Sequence, residues 1–156
     1  MGGIGSARNS DEFRGKHKAL DLWHDFVDAG VNKGALGDRE MAMLDACLHD
    51  DVVFHPPTYW KARHGKNMGM WILKEVAGIF GDSFRYHRQL VDGARRNAVL
   101  EFSCMVDEIP CQGVDILALD ENAIVDFKVM VRPPEAALRL KEKMTAAARR
   151  DFGVSG

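Results

Sequence analysis

The sequence has no long apolar run, no marked excess of charge of one sign and few cysteines. Its 156 residues carry 21 lysines and arginines against 23 aspartates and glutamates, which gives a formal net charge of -2. That balance excludes the basic surface typical of nucleic-acid binding. No stretch reaches the length of a membrane span, and the N-terminus lacks the basic and apolar segments of a secretion signal. We therefore expect a cytoplasmic protein that binds neither nucleic acid nor membrane.

The three cysteines have no spacing typical of a metal site, and the histidines add no compact ligand pattern, so we expect no metal. We expect Cys47, Cys104 and Cys111 to be reduced thiols. A disulfide between Cys104 and Cys111 across a hairpin is the alternative. No phosphate-binding loop is present, and no serine, cysteine or lysine has the setting of an activated nucleophile.

The apolar content of 46% and the charged content of 28% are typical of a soluble globular chain with one core. Residues 1–15 are rich in glycine and poor in apolar residues, so we expect a flexible N-terminus followed by a single domain at residues 16–150. Gly2 formally fits an N-myristoylation pattern, and a flexible segment without a lipid is the alternative.

Helical periodicity dominates the first half of the chain. Apolar residues at helical spacing predict helices over residues 16–33, 38–49 and 66–80. Residues 52–54 predict a short strand that ends at Pro56 and Pro57.

Strand periodicity dominates the second half. Alternation predicts strands at residues 83–91 and 97–107, then a turn at Ile109 and Pro110, then a hairpin across residues 113–133. A final helix is predicted at residues 135–150. Helices that precede a run of antiparallel strands imply an α+β fold with the helices on one face of the sheet.

Asp115 interrupts an otherwise apolar strand, between Val114 and Leu117. A carboxylate buried there must be paired, hydrogen-bonded or neutral, and burial would raise its pKa. It is therefore a candidate general acid, general base or hydrogen-bond donor. A structural aspartate is the alternative, and a register slip of one residue would turn the side chain to the other face.

This order of elements resembles the nuclear transport factor 2-like superfamily, also called SnoaL-like. The resemblance rests on residues 48–57, on Gly65 before a helix, and on residues 113–117 and 124–127. It implies a strongly curved antiparallel sheet wrapped around the N-terminal helices, cone-shaped with an internal pocket. It also implies a homodimer through the outer face of the sheet. The superfamily includes isomerases, dehydratases, polyketide cyclases, epoxide hydrolases and non-catalytic binding modules, so the fold alone does not assign a function.

Some of the catalytic residues of the superfamily have a counterpart in this sequence and others do not. Asp115 falls where the ketosteroid isomerases have the protonated carboxyl of their oxyanion hole. Trp23 falls near their hydrogen-bonding tyrosine, whereas Pro56 stands at the position of their general base. Val129 replaces a catalytic carboxylate of the epoxide hydrolases, which argues against epoxide opening by the known arrangement.

His55 and Tyr59 are predicted at the rim of the pocket, where either could assist Asp115 in catalysis. A rim histidine bonded to water is the alternative for His55, which would point to the opposite strand face from Pro56. Eight further residues are predicted to line the pocket, with ordinary core packing as the alternative: Trp23, Trp60, Trp71, Phe84, Phe102, Leu117, Phe127 and Val129.

These observations favour a protein that binds a hydrophobic small molecule in the pocket. Its reaction would be a cofactor-free proton transfer next to a carbonyl or hydroxyl, such as an isomerisation, dehydration or cyclisation. A non-catalytic ligand-binding or dimerisation module is the alternative, supported by Pro56 at the missing base.

Overall fold

The computed structural model describes residues 15–34 and 36–153. Four helices and six strands follow one another in the predicted α+β arrangement, with two short 3-10 turns at Val31–Lys33 and Gly81–Ser83. The main elements are α1 Lys18–Ala29, α2 Asp38–Cys47, β1 Leu48–His55, β2 Arg63–His64, α3 Lys66–Phe80, β3 Arg85–Val91, β4 Asn97–Val106, β5 Ile109–Leu119, β6 Ile124–Arg132 and α4 Pro134–Phe152.

The six strands form one sheet in the order β2-β1-β6-β5-β4-β3. Strands β3 to β6 are antiparallel neighbours, as the alternation predicts. Strand β1 instead pairs parallel with β6, which makes the sheet mixed rather than wholly antiparallel. The strong curvature and the cone shape stay predictions.

Several boundaries differ from the prediction. The first predicted helix, residues 16–33, is α1 followed by the 3-10 turn Val31–Lys33, and the strand predicted from residue 83 begins at Arg85. Strand β1 begins at Leu48, so the second helix is shorter than predicted and His49 lies in the sheet. The turn between β4 and β5 falls at Asp107 and Glu108, while Ile109 and Pro110 already belong to β5. The predicted flexible segment at residues 1–15 lies almost entirely outside the described residues.

Helix α1 buries Leu20, Trp23 and Phe26, and Trp23 contacts Phe127 and Tyr86 on the inner face of the sheet. Its start is fixed by His17, whose Nδ1 accepts a hydrogen bond from the backbone of Ala19 and whose Nε2 bonds the carbonyl of Asp120. This contact joins the first helix to the turn between β5 and β6.

Strand β5 lies in the middle of the sheet, and its inner face is almost fully buried. Asp115, Leu117 and Leu119 point inward, in keeping with period-two alternation. Gly113 lies on the same face, where the backbones of β5 and β6 and the ring of Phe102 come close together. A Cβ at this position would overlap the carbonyl oxygen of Met130 and the ring of Phe102.

Helix α4 returns across the sheet and packs against α3. Pro134 stands in its first turn, where the missing N–H is tolerated, and Gly153 ends it in a left-handed conformation. Its far end is fixed to α3 by a hydrogen bond of 2.8 Å from the Trp71 indole to Asp151 and by an ion pair of 2.6 Å between Arg150 and Glu75.

Candidate functional site

An apolar cavity of about 430 Å³ lies between the inner face of the sheet and helices α1, α3 and α4. Aromatic and aliphatic side chains make up most of its wall. Its lining residues include Trp23, Phe26, Val27, Phe54, Pro56, Met68, Trp71, Ile72, Val76, Phe80, Phe84, Phe127, Val129, Leu140, Met144 and Phe152. Of the described residues that line it, Asp115 is the sole carboxylate and Arg63 the sole cation.

Asp115 lies on the inner face of β5 and is only 4% exposed. The Tyr86 hydroxyl donates a hydrogen bond of 2.5 Å to its Oδ2. Burial raises the pKa of Asp115 from 3.8 to about 7, while the hydrogen bond from Tyr86 lowers it by a smaller amount. The carboxyl can therefore take up or release a proton near neutral pH.

Tyr86 was not among the predicted site residues. Its hydroxyl accepts a hydrogen bond of 2.8 Å from the indole Nε1 of Trp23, which completes a chain from α1 through β3 to Asp115. Burial and the neighbouring Asp115 raise the pKa of Tyr86 well above its ordinary value. Tyr86 therefore stays a neutral donor, and Trp23 reaches Asp115 only through it.

His55 does not line the cavity. It follows Phe54 in β1, and because Phe54 points inward, alternation turns His55 to the outer face. There its Nε2 lies 2.8 Å from Oδ1 of Asp126. The predicted catalytic pairing of His55 with Asp115 does not occur in this structure.

Tyr59 lies at the cavity wall, in the loop after β1. Its hydroxyl shares a hydrogen bond of 2.9 Å with the Thr145 hydroxyl on α4. Tyr59 is thus bonded to the C-terminal helix rather than to Asp115.

Five of the eight predicted pocket residues line the cavity: Trp23, Trp71, Phe84, Phe127 and Val129. Trp60 does not, because its side chain projects from the loop into solvent with 101% relative exposure. Phe102 and Leu117 are buried in the core without lining the cavity.

Helix α4 contributes a wall that the sequence did not predict. Leu140, Met144, Thr145, Ala148 and Phe152 all line the cavity from this helix. The sequence predicts the helix itself, but its local pattern does not indicate that this helix lines a cavity.

Residues 15–34 and 36–153 contain neither a metal-binding cluster nor a membrane-spanning helix. No group of three or more histidine, cysteine, aspartate or glutamate side chains could hold a metal ion there. Nor does any helix of that part of the chain combine the length and apolar character that a bilayer span requires. The three cysteines are free thiols, as expected.

Comparison with protein-family models and with curated proteins finds no match. Solved structures do match. The steroid delta-isomerase of Pseudomonas aeruginosa is 34% identical over 87% of this chain and 93% of its own, with a TM-score of 0.75. An uncharacterised bacterial protein of cystatin-like fold from Silicibacter pomeroyi is 33% identical over 90% of this chain and 92% of its own, also with a TM-score of 0.75.

A third structure, a nuclear transport factor 2-like protein of unknown function from Cytophaga hutchinsonii, is 16% identical over 78% of this chain and 96% of its own. Its TM-score is 0.56, so it bears on the fold alone. The fold and the buried carboxyl define an α+β protein with an internal apolar cavity. The chain belongs to the nuclear transport factor 2-like superfamily, which includes the ketosteroid isomerase-like proteins.

Proposed function

We propose that this protein binds a hydrophobic ketone in the cavity and moves a proton next to its carbonyl through Asp115. The observation that carries the proposal is the position of Asp115, a buried carboxyl with a pKa near 7 in an otherwise apolar wall. The similarity to a steroid delta-isomerase makes a ketosteroid with a movable double bond the first substrate to test.

The proposed step uses one group as both base and acid. The ionised Asp115 takes a proton from the carbon beside the carbonyl, which leaves an enolate and a neutral carboxyl. The neutral carboxyl then returns that proton to a different carbon, and the double bond moves without net oxidation or reduction. Tyr86 positions the carboxyl throughout, because its hydroxyl is bonded to Oδ2.

The matching test compares the wild type with Asp115→Asn. The variant keeps the size of the side chain but has no proton to exchange, so we expect kcat/KM to fall by about a hundredfold or more. The measurement follows the absorbance of the conjugated ketone that isomerisation forms. A folded Asp115→Asn variant with wild-type turnover would contradict the role of Asp115.

The pH profile gives a second readout of the same prediction. A base must be ionised, so kcat/KM should rise about tenfold per pH unit below the pKa of Asp115 and level off above about pH 7. A value of kcat/KM that falls as the pH rises towards 7 would contradict the role of Asp115 as a base.

A non-catalytic ligand-binding module is the second candidate. Pro56 lines the cavity at the position where the resemblance implies a general base, and the described lining residues offer no carboxylate besides Asp115. In this case the ketosteroid would bind and be recovered unchanged, and Asp115→Asn would alter affinity alone.

We also propose that two copies pair through the outer face of the sheet. Val114 and Ile116 on β5 are half-buried on that face, and Met130 on β6 is 53% exposed beside them. Charged groups such as Lys128 and Arg132 share the same strand face, which suits an interface with an apolar centre and a polar rim.

A further inference from the structure

Arg63 points into the cavity from the edge of the sheet. It pairs with Phe54 in the β1–β2 ladder, and directly paired residues point to the same face. Phe54 is buried on the inner face and lines the cavity, and so does Arg63. The half-buried Arg63 is thus the one cation among the described residues that line the cavity.

Arg63 has no carboxylate partner within the part of the chain that the structure describes. Asp115 cannot serve, because it lies on β5, three strand spacings from β2. At about 4.8 Å per spacing that separation is roughly 14 Å along the sheet. A partly desolvated cation without a counterion is unfavourable, and an anion placed beside it would be strongly favoured.

The Tyr59 ring is contacted by two cations, Arg63 and the exposed Lys141, of which only Arg63 lines the cavity. The guanidinium carbon of Arg63 is 5.7 Å from the centroid of the Tyr59 ring, and Nζ of Lys141 is 5.3 Å from the same centroid. Cation–π contacts hold both groups in place but do not neutralise them. The Tyr59 and Thr145 hydroxyls add two hydrogen-bonding groups at this end.

The two polar ends are joined by an apolar wall. Within one row of paired residues, Arg63 is followed by the lining residues Phe54 on β1 and Phe127 on β6. The row ends at the core residue Leu117 on β5, and Asp115 lies two residues from it along that strand. A molecule that satisfies both ends has a carbonyl or hydroxyl at one end, an apolar body and an anionic group at the other.

We propose that the cavity selects an amphipathic carboxylate whose acid group binds Arg63, beside Tyr59. The inference rests on the proposed function only in that it uses the same cavity and the same Asp115 end. Arg63 acts as the specificity-determining residue, because its charge favours an acid over an otherwise identical neutral molecule.

The test uses two probes that differ in one charge: a ketosteroid that carries a carboxylate at the end opposite its ketone, and the methyl ester of the same compound. Trp23 and Trp71 line the cavity, so quenching of tryptophan fluorescence reports binding of either probe. We expect the wild type to bind the acid at least about tenfold more tightly than the ester.

Matched variants assign this preference to one side chain. Arg63→Gln should lower the affinity for the acid by about tenfold and leave that for the ester nearly unchanged. Arg63→Lys keeps the charge and should keep most of the preference. Lys61→Gln is the control, since Lys61 is an exposed cation nearby that does not line the cavity.

The proposal is overturned if the wild type binds both probes equally or binds neither. It is also overturned if Arg63→Gln weakens both probes alike in a variant whose thermal unfolding is unchanged, or if Lys61→Gln has the same effect. Acid binding that depends on Arg63, without turnover of any ketosteroid, would support this inference and contradict the proposed function alone.

Discussion

The pKa of Asp115 is set by two opposing effects at a single side chain. Removal from water favours the neutral carboxyl, whereas the hydrogen bond from Tyr86 favours the carboxylate. Desolvation is the larger effect, and the result is a group that titrates near neutrality. In an exposed position the same carboxyl would be fully ionised at pH 7 and a weak base.

Tyr86→Phe isolates the smaller of these effects. Because its hydrogen bond lowers the pKa of Asp115, its removal should move the midpoint of the kcat/KM profile to higher pH by about one unit or more. A carboxyl titration followed by NMR would report the same shift without a substrate.

Tyr59→Phe is the control for that experiment, since it also removes a hydroxyl from the cavity wall but one bonded to Thr145. Its midpoint should match the wild type. A Tyr86→Phe midpoint that stays in place or moves to lower pH would show that the hydroxyl does not stabilise the carboxylate.

Sequence reasoning found Asp115 because a carboxylate is conspicuous in an apolar strand, but it missed Tyr86. The two residues lie on β3 and β5 with β4 between them, and the β3–β4 register shifts between Tyr86 and Gln89. Period-two alternation predicts the face of a residue but not a shift of this kind. For His55, by contrast, alternation already predicted an outward side chain, and the structure places it there beside Asp126.

At the scale of the element, β5 depends on the close approach at Gly113. In Gly113→Ala, the new Cβ would meet the Met130 carbonyl oxygen and lie 2.5 Å from a ring carbon of Phe102. The backbone oxygen cannot rotate away, so we expect the free energy of unfolding to fall by about 1–3 kcal/mol. Chemical denaturation measures it.

Gly78→Ala makes the same substitution in helix α3, where a Cβ would meet nothing within 4 Å. It should be neutral or stabilise by up to about 1 kcal/mol, because alanine favours the helix more than glycine does. If Gly113→Ala and Gly78→Ala changed the free energy of unfolding equally, the contact of Gly113 with Met130 and Phe102 would not be tight.

Most elements were predictable because each has a strong local period, as in α3 and β4. The parallel pairing of β1 with β6 was not, since alternation in a short strand does not reveal the direction of its neighbour. The two-residue strand β2 was also missed, because Arg63 and His64 carry no period at all. The sequence therefore did not predict that Arg63 lines the cavity.

At the scale of the whole molecule, the proposed dimer predicts the effect of a charge on the outer face. Met130→Glu would place a carboxylate in the apolar centre of that face, so we expect the dimer dissociation constant to rise about tenfold or more. Analytical ultracentrifugation over a range of concentrations would measure it.

Leu138→Glu is the control, because Leu138 is 62% exposed but lies on α4 rather than on the sheet. It should leave the dissociation constant unchanged. A wild-type protein that sediments as a monomer at high concentration would remove the basis of this prediction.

The two ends of the cavity belong to different parts of the chain. Trp23, Tyr86 and Asp115 stand on α1, β3 and β5, inside the packed layers of the fold. The opposite end is built from the edge strand β2, the loop before it and α4, which is held to α3 by polar contacts at its tip. Substitutions in α4 therefore alter the wall at one end of the cavity and leave the surroundings of Asp115 at the other end unchanged. In this architecture, evolution can change the ligand preference through α4 and β2 without changing the residues around Asp115.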